Sequence, residues 1–113
     1  MLKSLKIYQV ISPNGGTETF SGSSNPMNTT IDHSGSWIRC ITYQVGQSSS
    51  NFAWFTGQMK FEWLQPVDLN GDRVADAFYY SFKYNGSFTN GYIDSLARSS
   101  NGGGEKTAKI FVR

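Results

Sequence analysis

The dipeptide Asn-Gly occurs five times in this chain of 113 residues, and it constrains the fold more than any other feature. Asn and Gly accept positive φ angles more readily than other residues, and the tight turns of β-hairpins require such angles. Runs of alternating apolar and polar residues lie between the turns, as in half-buried strands. The dipeptides are Asn14-Gly15, Asn70-Gly71, Asn85-Gly86, Asn90-Gly91 and Asn101-Gly102. They predict an all-β chain of short antiparallel strands.

The alternating runs predict where individual strands lie. The clearest run, Asn51 to Leu64, predicts one long strand with its larger apolar residues on a single face. The faces of two further strands are predicted from Trp37, Ile41, Tyr43 and Val45, and from Phe78, Tyr80, Phe82 and Tyr84. We expect at most one short helix, over Tyr92–Ser99. About seven or eight short strands in total predict a β-sandwich or a jelly roll.

The length and composition predict one domain over residues 1–113. Aromatic residues make up 15% of the chain and charged residues only 16%, which argues against disorder because aromatic rings must be buried or engaged. The ten Lys and Arg residues are scattered along the sequence, whereas nucleic-acid binders usually cluster them, so nucleic acid is not the partner we expect. Cys40 is the only cysteine, which excludes an internal disulfide and predicts a buried, inert thiol.

Two features of the sequence bear on where the protein acts. No segment approaches the roughly 20 apolar residues of a membrane-spanning helix. The first residues contain no apolar core and no small-residue cleavage site of the kind that signal peptides have. We therefore expect synthesis in the cytosol without the ordinary export signal, and a final location in a virion or outside the cell.

One acidic segment suggests metal chemistry. Between Asp68 and Asp76, oxygen-bearing side chains stand at relative positions 1, 3, 5 and 9, and a backbone carbonyl is available at position 7. This spacing suits a loop around a hard cation such as calcium. The nine residues resemble the D-x-N-G-D-x-x-x-D calcium loops of FG-GAP and VCBS-like bacterial surface repeats and, less closely, dockerin and EF-hand loops. The resemblance implies five calcium ligands: Asp68, Asn70, Asp72, Val74 (through its carbonyl) and Asp76.

The acidic segment departs from those calcium loops at two positions. The glycine at position 6 is replaced by Arg73, and the acid at position 12 of an EF-hand is replaced by Tyr79. The alternative is a β-turn at Asn70-Gly71 in which the aspartates cap their own backbone. If calcium binds, we expect a Kd of about 10⁻⁴–10⁻³ M, the range of extracellular modules.

The remaining polar candidates do not form a catalytic set in the sequence. His33 is flanked by Asp32 and Ser34, but neighbours in an extended chain point apart, so we expect it to cap a turn. We expect the acidic residues Glu18, Glu62, Asp94 and Glu105 to be solvated at the surface. Exposed aromatic rings are the better candidates for ligand binding, and the residues we select are Trp37, Trp54, Trp63, Tyr79 and Tyr80. Packing inside the sandwich is the alternative role for them.

Two functions follow from these expectations, and neither is enzymatic. A weak calcium loop on a chain without an export signal suits a phage virion protein (capsid, decoration or tail) or a filament subunit, which would bind copies of itself or other structural subunits. The alternative is a carbohydrate-binding module or adhesin domain of a secreted protein, with a glycan held on exposed rings.

Overall fold

The computed structural model describes residues 2–22, 25–99 and 104–113, and these residues contain eight strands. In chain order the strands are β1 (Ser4–Ser12), β2 (Gly16–Thr19), β3 (Gly35–Val45), β4 (Ser50–Trp54), β5 (Lys60–Val67), β6 (Ala77–Phe88), β7 (Gly91–Arg98) and β8 (Glu105–Val112). A five-stranded sheet has the order β2-β1-β3-β6-β5, and a three-stranded sheet has the order β4-β7-β8. Both sheets are antiparallel and pack face to face, so the predicted all-β sandwich is confirmed. The described residues form no helix, and hence none that could cross a membrane.

The apolar core lies between the two sheets and is built from alternate residues of each strand. The five-stranded sheet contributes Ile7, Ile38 and Phe82, and the three-stranded sheet contributes Ile93 and Ile110, among others. The aromatic residues grouped on one face of β6 point inward, whereas the Trp37 face of β3 points outward and the opposite face, with Ile38 and Cys40, enters the core. Burial of Cys40 in this core raises the pKa of its thiol to about 12, which keeps it uncharged and inert.

The long strand predicted over Asn51–Leu64 is wrong. Strand β4 ends at Trp54, the chain reverses, and β5 begins at Lys60 in the other sheet. A backbone hydrogen bond from the N–H of Met59 to the carbonyl of Ala53, at 2.8 Å, closes the reversal. Apolar and polar residues keep alternating through this reversal, so the sequence pattern did not reveal the break.

The short helix considered over Tyr92–Ser99 is also wrong, because the chain there forms β7. The inward residues of β7 are Ile93, Ser95 and Ala97. Two of these three side chains are small, and one of them is polar, so the apolar alternation that marks a strand is weak in the sequence.

The Asn-Gly dipeptides serve different purposes. Asn14-Gly15 lies in the turn between β1 and β2, and Asn90-Gly91 leads from β6 into β7, both as expected. Asn85-Gly86 does not form the turn we predicted but lies within β6, where a Cβ on Gly86 would come within 2.9 Å of the Tyr84 ring. Asn101-Gly102 lies outside the described residues, and Asn70-Gly71 belongs to the acidic loop between β5 and β6.

A buried polar network holds one end of the sandwich together. Glu18 on β2 was expected at the surface, yet it accepts hydrogen bonds from the N–H of Thr30 (2.8 Å) and from its hydroxyl (2.7 Å). The second oxygen of Glu18 lies 3.1 Å from Nε2 of His33, and Nδ1 of His33 lies 2.6 Å from the hydroxyl of Ser12. The backbone N–H of His33 donates to the carbonyl of Arg113. The network therefore joins the β1–β2 hairpin to the segment before β3 and to the end of the chain.

The Glu18 carboxylate is stabilised in its charged form. Burial by itself raises the pKa of Glu18, but hydrogen bonds from Thr30, His33 and Ile31 outweigh burial and leave the pKa below its ordinary value of 4.5. Because the pKa is lower in the folded state than in the unfolded chain, ionised Glu18 contributes stability at neutral pH.

We expect replacement of Glu18 by alanine to lower the free energy of unfolding by about 2–4 kcal/mol, because buried donors then lose their acceptor. Urea unfolding at pH 7 measures this change. Thr17→Ala, at an exposed position of the same strand, is the matched control. A loss below about 0.5 kcal/mol, the usual effect of a surface substitution, would contradict the structural role.

The pH dependence gives a second readout of the same carboxylate. The stability that Glu18 contributes is present above pH 4.5 and is lost as the pH falls through its lower folded pKa. The Glu18→Gln variant carries no such group, so its unfolding free energy should decline less steeply on acidification than that of the unmodified protein. If the unfolding free energies of the two proteins fell equally steeply with decreasing pH, this contribution of Glu18 would be ruled out.

Candidate functional site

The outer face of the five-stranded sheet carries an unusual set of aromatic and basic side chains. Because β3 and β6 pair in register, Tyr43 lies opposite Tyr79, and Arg39 lies opposite Lys83. These residues alternate with the core residues and therefore point away from the second sheet. The face therefore presents aromatic rings and charges together.

Three tyrosines from three strands meet at one end of this face. The rings of Tyr8 and Tyr79 have centroids 5.0 Å apart and are tilted by 58°. The rings of Tyr43 and Tyr79 are also 5.0 Å apart, with a tilt of 50°. Tyr8 reaches this position because β1 has a bulge between Ile7 and Gln9, which leaves Tyr8 without a direct partner on β3.

The tyrosines line an open cleft of about 530 Å³. Its other wall comes from the segment after β2, where the side chain of Asn25 is fixed at both ends to β1. The carboxamide oxygen of Asn25 accepts from the N–H of Ile7 at 3.0 Å, and its nitrogen donates to the carbonyl of Leu5 at 3.1 Å. Lys6, which also lines the cleft, donates to the carbonyl of Gly22. The wall is therefore attached to the sheet by side-chain hydrogen bonds.

The hydroxyl groups of the cleft are suited to neutral hydrogen bonding. Burial, followed by the proximity of Tyr8 and Tyr43 and a hydrogen bond with Tyr8, raises the pKa of Tyr79 above its ordinary value of 10.0. At physiological pH the Tyr79 phenol is thus protonated and can both donate and accept. A ligand with hydroxyl groups and apolar C–H faces matches such a surface, since each ring offers an apolar face and a polar tip.

A row of cations crosses the same face at the other end. Arg39, Lys83 and Lys60 are aligned on β3, β6 and β5 by the strand registers. Glu62 accepts from Arg39 at 2.6 Å and 3.1 Å, and from the hydroxyl of Ser81 at 2.8 Å. The hydrogen bond from Arg39 is the main reason that the pKa of Glu62 lies below its ordinary value.

The five aromatic residues selected from the sequence lie on three different surfaces. Tyr79 lies in the tyrosine cleft, and Trp37 and Trp63 lie elsewhere on the same outer face. Trp54 lies on the outer face of the three-stranded sheet, stacked against Phe52 with ring centroids 5.8 Å apart. Tyr80 points between the sheets and is 9% exposed. The structure therefore brings only Tyr79 into the cleft.

The other residues of the cleft, among them Lys6, Tyr8 and Tyr43, were not selected from the sequence. Lys6 and Tyr43 are neighbours only through the β1–β3 register, and Tyr8 joins them only through the bulge. The alternation of Lys6 and Tyr8 with Leu5 and Ile7 was a usable signal of a polar, aromatic face. It did not indicate which strand lies next to it.

The Ser12–His33–Glu18 arrangement resembles a catalytic triad in its residue types, but its environment is that of a structural network. Ser12 is 2% exposed, His33 is 0% exposed, and Glu18 is 7% exposed. The hydroxyl of Ser12 also accepts from the N–H of Gly15 at 3.0 Å. A Cβ on Gly15 would come within 2.3 Å of the His33 ring, so the turn covers the imidazole closely. We therefore assign His33 to the network rather than to the expected turn cap.

The acidic loop between β5 and β6 folds back on its own backbone. Asp68 accepts from the N–H groups of Gly71 (2.8 Å) and Arg73 (2.6 Å), and Asp76 accepts from the N–H of Leu69 (2.8 Å). The bond from the Arg73 N–H is the largest cause that holds the pKa of Asp68 below its ordinary value. These contacts are the ones expected of a turn capped by its own aspartates.

The same loop shares one property with the calcium loops it resembles. Arg73 has a φ of +67°, the left-handed conformation that glycine supplies in those loops. Asn70 and Asp72 bond to backbone N–H groups, and no three His, Cys, Asp or Glu side chains converge as a metal site among the described residues. Carboxylates accept several bonds, so the loop oxygens retain lone pairs for a cation. Calcium binding by Asp68, Asn70, Asp72, Val74 and Asp76 thus stays a prediction.

If the loop binds calcium with a Kd near 1 mM, about 5 mM calcium should stabilise the protein by about 1 kcal/mol. Thermal unfolding with calcium or magnesium, together with calorimetric titration, measures this effect. Asp72→Asn keeps the acceptor for the Val74 N–H but removes one charge, so it should weaken the effect, whereas Asp94→Asn should not. The absence of both heat and a shift in Tm would eliminate the calcium site.

A family model described as "Domain of unknown function (DUF4879)" matches residues 1–112. No curated protein and no solved structure matches the chain. The matched range includes all eight strands of the two sheets and both ends of the outer face. The chain therefore belongs to the DUF4879 family.

Proposed function

We propose that this chain is a non-enzymatic binding domain that holds a carbohydrate on the outer face of its five-stranded sheet. The single observation that carries the proposal is the open cleft of about 530 Å³ lined by Tyr8, Tyr43 and Tyr79. Binding clefts generally combine aromatic walls with a few convergent polar groups. This cleft has both, since Ser4 and Ser21 also border it.

The chemistry of sugars suits the cleft. A sugar ring presents apolar C–H groups on its faces and hydroxyl groups around its edge, and tyrosine offers a complementary surface for each. Tyrosine also loses little conformational entropy on binding because it has only two side-chain torsions. In this cleft the ring contacts with Tyr79 further restrict Tyr8 and Tyr43 before any ligand arrives. The site is therefore organised in advance for a rigid, polyhydroxylated ligand.

We expect Tyr79→Ala to weaken glycan binding at least about tenfold, because Tyr79 contacts both other rings at the centre of the cleft. A glycan array identifies the ligand, and calorimetric titration measures the affinity. Tyr92→Ala is the matched control, since Tyr92 is exposed on the other sheet and lies far from the cleft in the fold.

Two results would contradict carbohydrate binding at this cleft. The first is an array without any bound glycan. The second is a Tyr79→Ala variant that folds normally and binds the glycan as tightly as the unmodified protein.

A second candidate function is that of a structural subunit of a virion or filament, and strand β5 favours it. Within the described residues β5 pairs only with β6, so its other edge presents unpaired backbone groups. Phe61, Trp63 and Leu64 on this strand are 48%, 42% and 47% exposed. Exposed apolar side chains on a free edge favour pairing with a strand of another copy.

Assembly through β5 predicts a concentration-dependent increase in molar mass. Leu64→Lys should abolish the increase, because a charge would be buried in the contact, whereas Leu69→Lys in the exposed acidic loop should leave it unchanged. Sedimentation velocity over a wide range of concentrations measures the mass. Monomers at every concentration, with and without calcium, would exclude assembly through this edge.

A further inference from the structure

We propose that the carbohydrate is acidic and that the cation row formed by Arg39, Lys83 and Lys60 binds its carboxylate or sulfate groups. This inference rests on the proposed function, and it names the class of ligand that the outer face takes. The ligand would extend from the tyrosine cleft across the sheet to the cation row.

The cation row carries an uncompensated positive charge. Lys83 lies directly opposite both Arg39 and Lys60 in the strand registers. Like charges at opposed positions destabilise a sheet, so the arrangement is costly in the absence of an anion. The nearby carboxylate of Glu62 is bonded to Arg39 and Ser81, and the charge of Lys83 also contributes to the lowered pKa of Glu62, but neither lysine lies within ion-pair distance of an acid in the described part of the chain. One carboxylate thus faces three cations. Two positive charges therefore stay available to a ligand.

Trp37 holds two of the cations in place. The guanidinium of Arg39 lies 5.3 Å from the centroid of the Trp37 ring, and the ammonium group of Lys83 lies 5.0 Å from it. Cation–π contacts of this kind reduce the freedom of long side chains and keep their charges at the surface of the sheet. A second, smaller cleft of about 390 Å³, bordered by Lys60, Glu62, Lys83 and Asn85, lies beside them. The charged groups of the row are thus held in place, and the cleft beside them has space for an anionic group.

The outer face as a whole concentrates charge that is dispersed in the sequence. Among the described residues it carries the cations Lys6, Arg39, Lys60 and Lys83 and the single acid Glu62, a net of three positive charges. The entire chain has a net charge of only +2. Charge complementarity therefore favours an anionic ligand on this face over any other surface.

The cation row and the tyrosine cleft lie on the same face of the five-stranded sheet. Tyr79 and Lys83 are four residues apart on the same face of β6, which corresponds to about 13 Å along the strand. Ile41, Ser81 and Trp63 lie between them in one cross-strand row, in which Ile41 and Ser81 are buried and Trp63 is the exposed member. An extended oligosaccharide can contact both ends, whereas a single sugar cannot.

The geometry favours an acidic glycan over single-stranded nucleic acid. Nucleic acids bind along basic grooves that follow the backbone and stack their bases on open aromatic rings. Here the three cations form one short row, the Trp37 ring is already engaged by two of them, and the tyrosine rings are tilted by 50–58° rather than parallel. An oligosaccharide can contact the tilted rings one at a time, without the parallel stacking of successive bases. A few acidic groups on it are enough to pair with the three cations of the row.

The test compares an oligogalacturonate and a sulfated oligosaccharide with a carboxyl-reduced, neutral form of the oligogalacturonate. Calorimetric titration with the full chain should show at least about tenfold tighter binding of one acidic ligand than of the neutral one, and the difference should shrink with added salt. The Lys60→Gln/Lys83→Gln double variant should lose that difference and keep its affinity for the neutral ligand. Lys106→Gln/Lys109→Gln, on β8 of the other sheet, is the matched control.

The outcomes separate this inference from the proposed function. Equal binding of acidic and neutral ligands overturns the inference, while loss of both in Tyr79→Ala still supports carbohydrate binding. If no glycan binds, the proposed function fails and the inference fails with it. Tighter binding of an oligothymidylate that depends on the same lysines would also overturn the inference, in favour of nucleic acid.

A stability measurement on the free protein tests the charge argument without any ligand. Lys60→Gln removes one of two opposed like charges, so it should raise Tm at low salt, and added salt should reduce the gain. An unchanged or lower Tm at low salt would mean that repulsion among the cations does not destabilise the free protein. That result would overturn the premise that the row is costly without a bound anion.

Discussion

The register between β3 and β6 is the constraint on which the rest of the structure depends. These two strands form the centre of the five-stranded sheet, and their pairing runs from Gly35 opposite Phe88 to Val45 opposite Ala77. In this register Cys40 and Phe82 face the second sheet, while Arg39 and Lys83 face outward. A slip of one residue in either strand would turn apolar side chains to the solvent and charges into the core. The same register therefore specifies both the core and the outer face.

The two faces of the five-stranded sheet have separate roles. Most of the inner face is covered by the three-stranded sheet and is apolar; among its buried polar groups, the hydroxyl of Thr42 has no hydrogen-bond partner within the described residues. The outer face retains rings and charges that contribute little to the core. Its side chains contact one another instead, as in the Tyr8–Tyr79 and Trp37–Lys83 pairs. Rigid side chains on a paired sheet are a suitable basis for binding, because their positions change little when a ligand arrives.

The buried Glu18 network shows how polar residues fix the ends of such a small sandwich. Ser12 and Glu18 belong to the β1–β2 hairpin and His33 to the segment before β3, and together they close one end of the fold through side-chain hydrogen bonds. A buried carboxylate is tolerated here because several donors converge on it. In the acidic loop the donors are backbone N–H groups of the loop itself, so the aspartates shape the turn whether or not a cation binds.

The sequence by itself determined the fold class, the residues that share one face of β6 and of β3, and the inert thiol of Cys40. These follow from local alternation and from turn residues, which act over a few positions. It did not determine the break between β4 and β5, the strand at Gly91–Arg98 or the continuation of β6 through Asn85-Gly86. Only the tertiary structure decided that Tyr8, Tyr43 and Tyr79 share a cleft and that Arg39, Lys83 and Lys60 share a row. The physical reason is that strand order and register bring distant residues together, and neither leaves a trace in the spacing of residues along one strand.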